Sequence, residues 1–239
     1  EAAISKMVPP MSRGVRAANP LAAWAEASNT LYLDGEAYPG THPTVAGVAW
    51  RSSFPAYVDR KLLLHNFGHA AAAYNGFLAG REYIWQCMDD PRVAAETTAC
   101  MMETAEGLAI RHAAVFTFDE NRAWADDLLR RFRNRILGDP VFRVGRDLRR
   151  KLAPGDRCIG ALRLLEETGV DCTHTARAIA AGLLFLPQGE DVSFPDDEEV
   201  VALARLEGPE AALVRFSGFH PKRDAALIDR ISAEYRRLK

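Results

Sequence analysis

The sequence predicts a mainly α-helical fold preceded by a short irregular stretch with strands, and three observations carry that prediction. Apolar residues recur with a helical period from Phe54 almost to the C-terminus. Several of the periodic stretches open after Pro or Asp, as helix starts do. Residues 19–53, by contrast, are rich in Gly, Pro, Asn and Thr and hold only short apolar runs.

Taken in order, Ile4-Ser5-Lys6-Met7-Val8 reads as a short strand halted by Pro9-Pro10. Further short strands are expected around Leu31-Tyr32-Leu33 and Val45-Ala46-Gly47-Val48. Helices are predicted over 54–79, 92–114, 119–136, 156–168, 173–186, 196–206, 209–216 and 221–237, with breaks at Gly138-Asp139-Pro140 and Leu186-Pro187-Gln188-Gly189. Residues 1–53 read as an inter-domain connection and 54–239 as one helical domain. The first residue is Glu, so the chain reads as one entered in mid-protein.

Composition narrows the class. The chain has 239 residues, 48% hydrophobic and 26% charged, the profile of a globular protein rather than a disordered or collagenous one. No stretch approaches the ~18 apolar residues of a membrane span, and no signal peptide is recognisable. Cys87, Cys100, Cys158 and Cys172 are scattered singly, which argues against a disulfide scaffold or a structural zinc site and for a reducing cytoplasm. His112, His174 and His220 lack helical partners of metal-binding type and read as ordinary histidines; Met101-Met102, Trp85 and Trp124 read as packing.

The net charge of −2 is unevenly placed: residues 130–157 hold ten cations against Asp139, Asp147 and Asp156. Such a run is either a solvated helix face or a site for an anion, a phosphate or a nucleic acid included. No nucleic-acid motif accompanies it and only Phe132 and Phe142 interleave it, which weighs against nucleic acid.

The helix over 54–79 is the informative one. At about 100° per residue, one face gathers Leu63, Leu64, Phe67, Ala70, Ala71, Tyr74, Phe77 and Leu78, the predicted core side. The remaining arc carries Lys61, His65, His69 and Asn66 over about 140°. Gly68 and Ala72 lie beside Lys61, where two small residues would leave room for a ligand. A lysine against apolar walls can have its pKa lowered until it serves as a base near neutrality. Asn66 can donate to a developing alkoxide, and His69 can position a hydroxyl. Lys61, Asn66 and His69 therefore form a plausible kit for removing a proton from an alcohol.

The run Tyr57-Val58-Asp59-Arg60-Lys61-Leu62-Leu63-Leu64-His65-Asn66-Phe67-Gly68-His69-Ala70, with Ala73-Tyr74-Asn75-Gly76 after it, resembles the C-terminal domain of the mannitol dehydrogenase family of polyol-specific long-chain dehydrogenases. Arg143-Val144-Gly145-Arg146-Asp147-Leu148-Arg149-Arg150-Lys151-Leu152-Ala153-Pro154-Gly155-Asp156-Arg157 resembles the mannitol-1-phosphate 5-dehydrogenase branch. The resemblance implies that Lys61 is the general base, Asn66 the oxyanion donor and His69 the substrate-orienting imidazole, with NAD taking the hydride. It also implies that Arg143 and Lys151 line the polyol site; His65, which lies between Lys61 and His69 on the wheel, is added to the substrate-binding residues. The surplus cations Arg146, Arg149, Arg150 and Arg157 suit a phosphorylated polyol, because guanidinium forks grip phosphate oxygens in pairs. A dehydrogenase of free mannitol or of a hexonate is the nearer alternative, and a non-enzymatic anion or nucleic-acid binding module using residues 130–157 the more distant one. The family's N-terminal Rossmann domain has a Gly-rich turn for the pyrophosphate, whereas here no two of the 17 glycines are separated by a single residue. The expectation is a substrate-binding half that needs a nucleotide-binding domain as partner and is silent alone, with no metal, nucleic acid or membrane involved.

Overall fold

A computed structural model describes residues 2–9, 11, 13–27, 30–187 and 194–239. Pro10 and the Gln188-Gly189 break lie outside them. The N-terminal part consists of β1 (Ala2–Ile4), α1 (Arg13–Ala18), β2 (Leu31–Asp34) and β3 (Val48–Arg51). β2 is the middle strand, antiparallel to β1 with Ala3 opposite Tyr32, and parallel to β3 with Tyr32 opposite Ala49. The strand expected at 45–48 forms three residues later. A turn closed by Val48 N–H on the Val45 carbonyl, with Gly47 at φ +80°, occupies the expected place.

The predicted 54–79 helix is helical throughout but not uniformly wound. It divides into α2 (Phe54–Asp59), a π-helical segment (Arg60–Asn66) and α3 (Phe67–Leu78). The Phe67 N–H reaches the Leu62 carbonyl five residues back, so each residue in the segment advances by about 80° rather than 100°. Over five residues that difference brings Lys61 and Asn66 from about 140° apart to about 40°. The wide turn also draws Arg60 inward, with its guanidinium 4.0 Å above the Phe116 ring and 4.9 Å above that of Trp124.

Two further expectations for this helix are corrected. Gly68 and Ala72 do not leave space for a ligand: both are buried, and a Cβ on Gly68 would stand 2.6 Å from the Met101 sulfur. Their smallness lets α3 pack closely against α5 (Pro91–Arg111), reached through α4 (Ile84–Asp89). Leu78, predicted in the core, is 39% exposed at the helix end. Leu63, Leu64, Phe67, Ala70, Ala71 and Tyr74 are buried as the periodicity predicts, each large one contributing roughly 1.5–3 kcal/mol.

The helix starts follow local chemistry. Asp90 accepts from Arg92 N–H and Val93 N–H ahead of α5, and Thr117 and Glu120 form a capping box for α6 (Phe118–Phe132). α6 stops four residues before the predicted end, at a 3-10 turn over Arg135–Leu137 closed by Gly138 at φ +52°. Two short helices follow that the periodicity did not predict, α7 (Val141–Gly145) and α8 (Leu148–Lys151). Then come α9 (Arg157–Thr168), α10 (Thr173–Gly182), α11 (Pro195–Leu206), α12 (Pro209–Ser217) and α13 (Ala225–Leu238). α5 and α10 end three or four residues early against expectation, and α13 starts late, because Asp224 accepts the His220 N–H in a preceding turn. α3 lies at the centre, in contact with α4, α5, α7 and α10; α5 also bears α6 and α9, and α10 bears α13. All four cysteines are buried free thiols. No helix among the described residues is long and apolar enough to cross a membrane.

Candidate active site

A cleft of 280 Å³ opens where the π segment meets α3, α7, α8 and the start of α9. Asn66 and His69 line it from the π segment and α3, Arg143, Arg146, Arg150 and Lys151 from α7, α8 and their junction, and Arg157 from the start of α9. Seven of the ten residues singled out in the sequence, Asn66, His69, Arg143, Arg146, Arg150, Lys151 and Arg157, thus converge from stretches some 80 residues apart. Lys61 and His65 sit on the π segment outside the lining. Arg149 points elsewhere, toward Asp196 (3.3 Å) and Glu199 (3.5 Å), beside a separate hollow.

The wall holding His69 is organised by a carboxylate that the sequence analysis treated only as part of a break. Asp139 is buried and accepts from Arg143 Nε and Nη2, both at 2.6 Å, in a bidentate pair. Its Oδ2 also lies 3.5 Å from His69 Nε2, without hydrogen-bond alignment. Asp139 lies outside α7, on the far side of Pro140, so no helical spacing in the sequence announced its pairing with Arg143. Phe132 stacks on the His69 ring, with centroids 4.7 Å apart. Burial, reinforced by the cations of Arg143, Lys151 and Arg157, pushes the His69 pKa down to about 3. The imidazole is therefore neutral at physiological pH, able to donate from one nitrogen and accept at the other.

His65 is held still more tightly. Its Nδ1 is 2.9 Å from the Ser5 hydroxyl, to which Arg131 Nη1 donates at 3.4 Å. Arg131 is in turn paired with Glu26, which caps the Met7 N–H at 2.6 Å. Ser5 can accept from Arg131 and still donate its own proton to His65 Nδ1, a pattern that suits the Nε2–H tautomer. Burial lowers the His65 pKa well below its ordinary value, with His69 and Arg131 adding to the effect.

The cationic wall depends on a strained junction. Between α7 and α8, Asp147 adopts φ +67°, a conformation costly for a non-glycine residue. The buried Asp197 holds it by accepting from Asp147 N–H (2.8 Å) and Leu148 N–H (2.6 Å). Lys151 then reaches back from α8 to donate to the Val144 carbonyl (2.6 Å) and to that of Arg146. Its ammonium is buried, and desolvation followed by the Arg157 charge brings its pKa down to about 8. Gly145 is required beneath this junction, because the Phe185 ring occupies the space of a Cβ. Arg150 pairs with Asp147 and Asp156, and Arg157 with Asp156 (2.9 Å).

Lys61 is half-buried and makes no hydrogen bond or ion pair among the described residues. Desolvation, and secondly the Arg157 charge, hold its pKa below the usual lysine range. A lysine with a lowered pKa gives up its proton more readily than a free one and can then act as a base. Among the described residues no three His, Cys, Asp or Glu side chains converge to hold a metal ion.

Comparison with known proteins gives concordant results. Residues 54–236 match the family model of the mannitol dehydrogenase C-terminal domain. Among solved structures, Pseudomonas fluorescens mannitol 2-dehydrogenase, in a ternary complex with NAD and D-mannitol, superposes with a TM-score of 0.69 at 20% identity, covering 98% of this chain and 54% of its own. A substrate-free D-sorbitol dehydrogenase gives 0.69 at 17% identity, covering 98% and 51%. The chain thus spans about half the length of these structures.

Proposed function

Because the chain belongs to the mannitol dehydrogenase C-terminal domain family, we propose that it is the substrate-binding and catalytic half of an NAD-dependent polyol dehydrogenase that interconverts mannitol 1-phosphate and fructose 6-phosphate. The observation that carries this reading is the cleft itself, in which Asn66 and His69 share with five cations the lining of a 280 Å³ space.

In this reading the neutral Nζ of Lys61 accepts the hydroxyl proton. Asn66 Nδ2 donates to the oxygen as it gains negative charge, an interaction worth most in the transition state. Neutral His69, clasped by Phe132 and Asp139, orients the hydroxyl, and Arg143 and Lys151 border the polyol chain. The residues present do not build a dinucleotide site. There is no Gly-x-Gly, and the parallel strands β2 and β3 are joined by residues 35–47 with no crossover helix among them. NAD is therefore assigned to a separate Rossmann partner domain, and the isolated chain is expected to be inactive. Robust NAD reduction by these 239 residues with any polyol would overturn that assignment.

A dehydrogenase of a hexonate is the second reading that the cationic cleft favours, since a carboxylate also suits it; free mannitol would leave the cations unused. A nucleic-acid module fits poorly. The cations of 130–157 do not share one open face: Arg131 is committed to buried Glu26, Arg135 to Asp89 and Arg149 to Asp196 and Glu199. The test is made on the enzyme joined to its nucleotide-binding half. Lys61→Ala should lower kcat/KM by about 10²–10⁴ and remove the rise in rate with pH, and mannitol 1-phosphate should be used in preference to mannitol and hexonates. An unchanged pH profile would exclude Lys61 as the base, and preference for a hexonate would move the assignment to the second reading.

A further inference from the structure

The five cations of the cleft are not equivalent. Arg143 has its Nε and one terminal nitrogen engaged by Asp139, Arg157 is paired with Asp156, and Arg150 is shared between Asp147 and Asp156. Lys151 is held by two main-chain carbonyls. Arg146 alone among them has no carboxylate or other hydrogen-bond acceptor among the described residues. Its guanidinium lies 5.1 Å from the Phe194 ring centroid and 5.8 Å from that of Phe142. Stacking of this kind orients the planar fork while leaving its N–H edge free. Three carboxylates pair with these five cations and Asp197 stands beside the Asp147–Leu148 junction, so the cleft keeps a net positive charge that suits the negative charge of a phosphate monoester.

We infer that Arg146 is the specificity-determining residue that grips the phosphate group of the substrate, and that Asp139 keeps Arg143 from competing for it. The inference rests on the reading of the cleft as a site for a phosphorylated polyol, and deepens it by dividing the cleft in two. Around Asp139 the charge of Arg143 is neutralised, and its remaining terminal nitrogen offers N–H groups suited to an uncharged hydroxyl. Around Arg146 a fork with no ion-paired carboxylate among the described residues, Asp197 and Glu198 lining the adjacent hollow, can meet two phosphate oxygens, with Arg150 and Arg157 supplying field from behind their own carboxylate partners. Such a division fixes which end of the polyol phosphate lies beside Asn66 and His69.

The test uses the complete enzyme. Arg146→Ala should raise KM for mannitol 1-phosphate by about ten- to a hundredfold, the value of a hydrogen-bonded charge, and the loss on this substrate should exceed that on free mannitol by at least tenfold. Inhibition by inorganic phosphate should weaken in parallel. Arg146→Gln, which keeps the stem over the two rings, should behave like the alanine variant, while Arg146→Lys should fall between it and the wild type. Equal losses on phosphorylated and free substrate, or unchanged inhibition by phosphate in a folded Arg146→Gln protein, would overturn the assignment to Arg146 while leaving the substrate reading standing. A wild-type enzyme that uses free mannitol as well as its phosphate, and that inorganic phosphate does not inhibit, would overturn both.

Discussion

At the scale of single residues, the chemistry of Lys61 is governed by a partner far from it in sequence. Burial is the first cause of its lowered pKa and the Arg157 cation the second, because a like charge disfavours the protonated form. Arg157→Gln should therefore raise the pKa of Lys61, and the alkaline-going limb of kcat/KM for polyol oxidation should move to higher pH, with slower turnover at neutrality. A limb that stays in place or moves down would show that Arg157 does not act on the base. Asn66 and His69 were legible together because they lie three residues apart on one helix, and both line the cleft; the approach of Lys61 to Asn66 depends on the π winding, which regular spacing does not contain. Arg157 was visible only as one of several surplus cations, and Asp139 only as punctuation before a proline. Their roles come from contacts between α7, α9 and α3, which no helical wheel contains.

Secondary-structure elements show the same boundary between local and tertiary causes. α5, α6 and α9 were readable because caps and periodicity lie inside the segment: Asp90, Thr117 with Glu120, and Asp156. α7 and α8 were not, since they are four or five residues long and owe their junction to Asp197, fifty residues away. The π segment was hidden for a different reason, because a fixed winding of 100° per residue already assumes it away. Asp197→Ala leaves the buried Leu148 N–H and the part-buried Asp147 N–H without acceptors and releases Asp147 from its left-handed conformation. It should cost about 1–3 kcal/mol of unfolding free energy, measurable by urea denaturation, and should raise KM as α8 shifts Arg150 and Lys151. Gly145→Ala should cost a similar 1–3 kcal/mol by overpacking against Phe185. A stable Asp197→Ala protein with wild-type KM would mean that the junction is held by packing rather than by the carboxylate.

For the molecule as a whole, the neutral imidazoles link the site to stability against acid. The His69 pKa is about 3 in the folded protein and near 6.5 when unfolded. A depressed folded pKa means that the unfolded chain binds the extra proton first. The stabilisation is complete above pH 6.5 and is lost as pH falls from there toward 3. By pH 4.5 that loss amounts to roughly 2–3 kcal/mol for His69, and His65, shifted in the same direction, adds to it. The latter also connects the π segment through Ser5, Arg131 and Glu26 to the N-terminal stretch, so its protonation should loosen both together. His69→Gln, which cannot titrate, should be less stable than the parent at pH 7 through lost packing on Phe132. It should nevertheless lose markedly less stability between pH 7 and 4.5 in urea titrations at the two pH values. Parallel losses in parent and variant would place the origin of acid sensitivity in the carboxylates instead. The cationic field that depresses His69 is the same one that readies the cleft for an anion, so a bound dianion should raise its pKa and soften the acid slope. Repeating the parent titration with saturating inorganic phosphate would measure that coupling, since a phosphate outside the cleft would leave the slope unchanged.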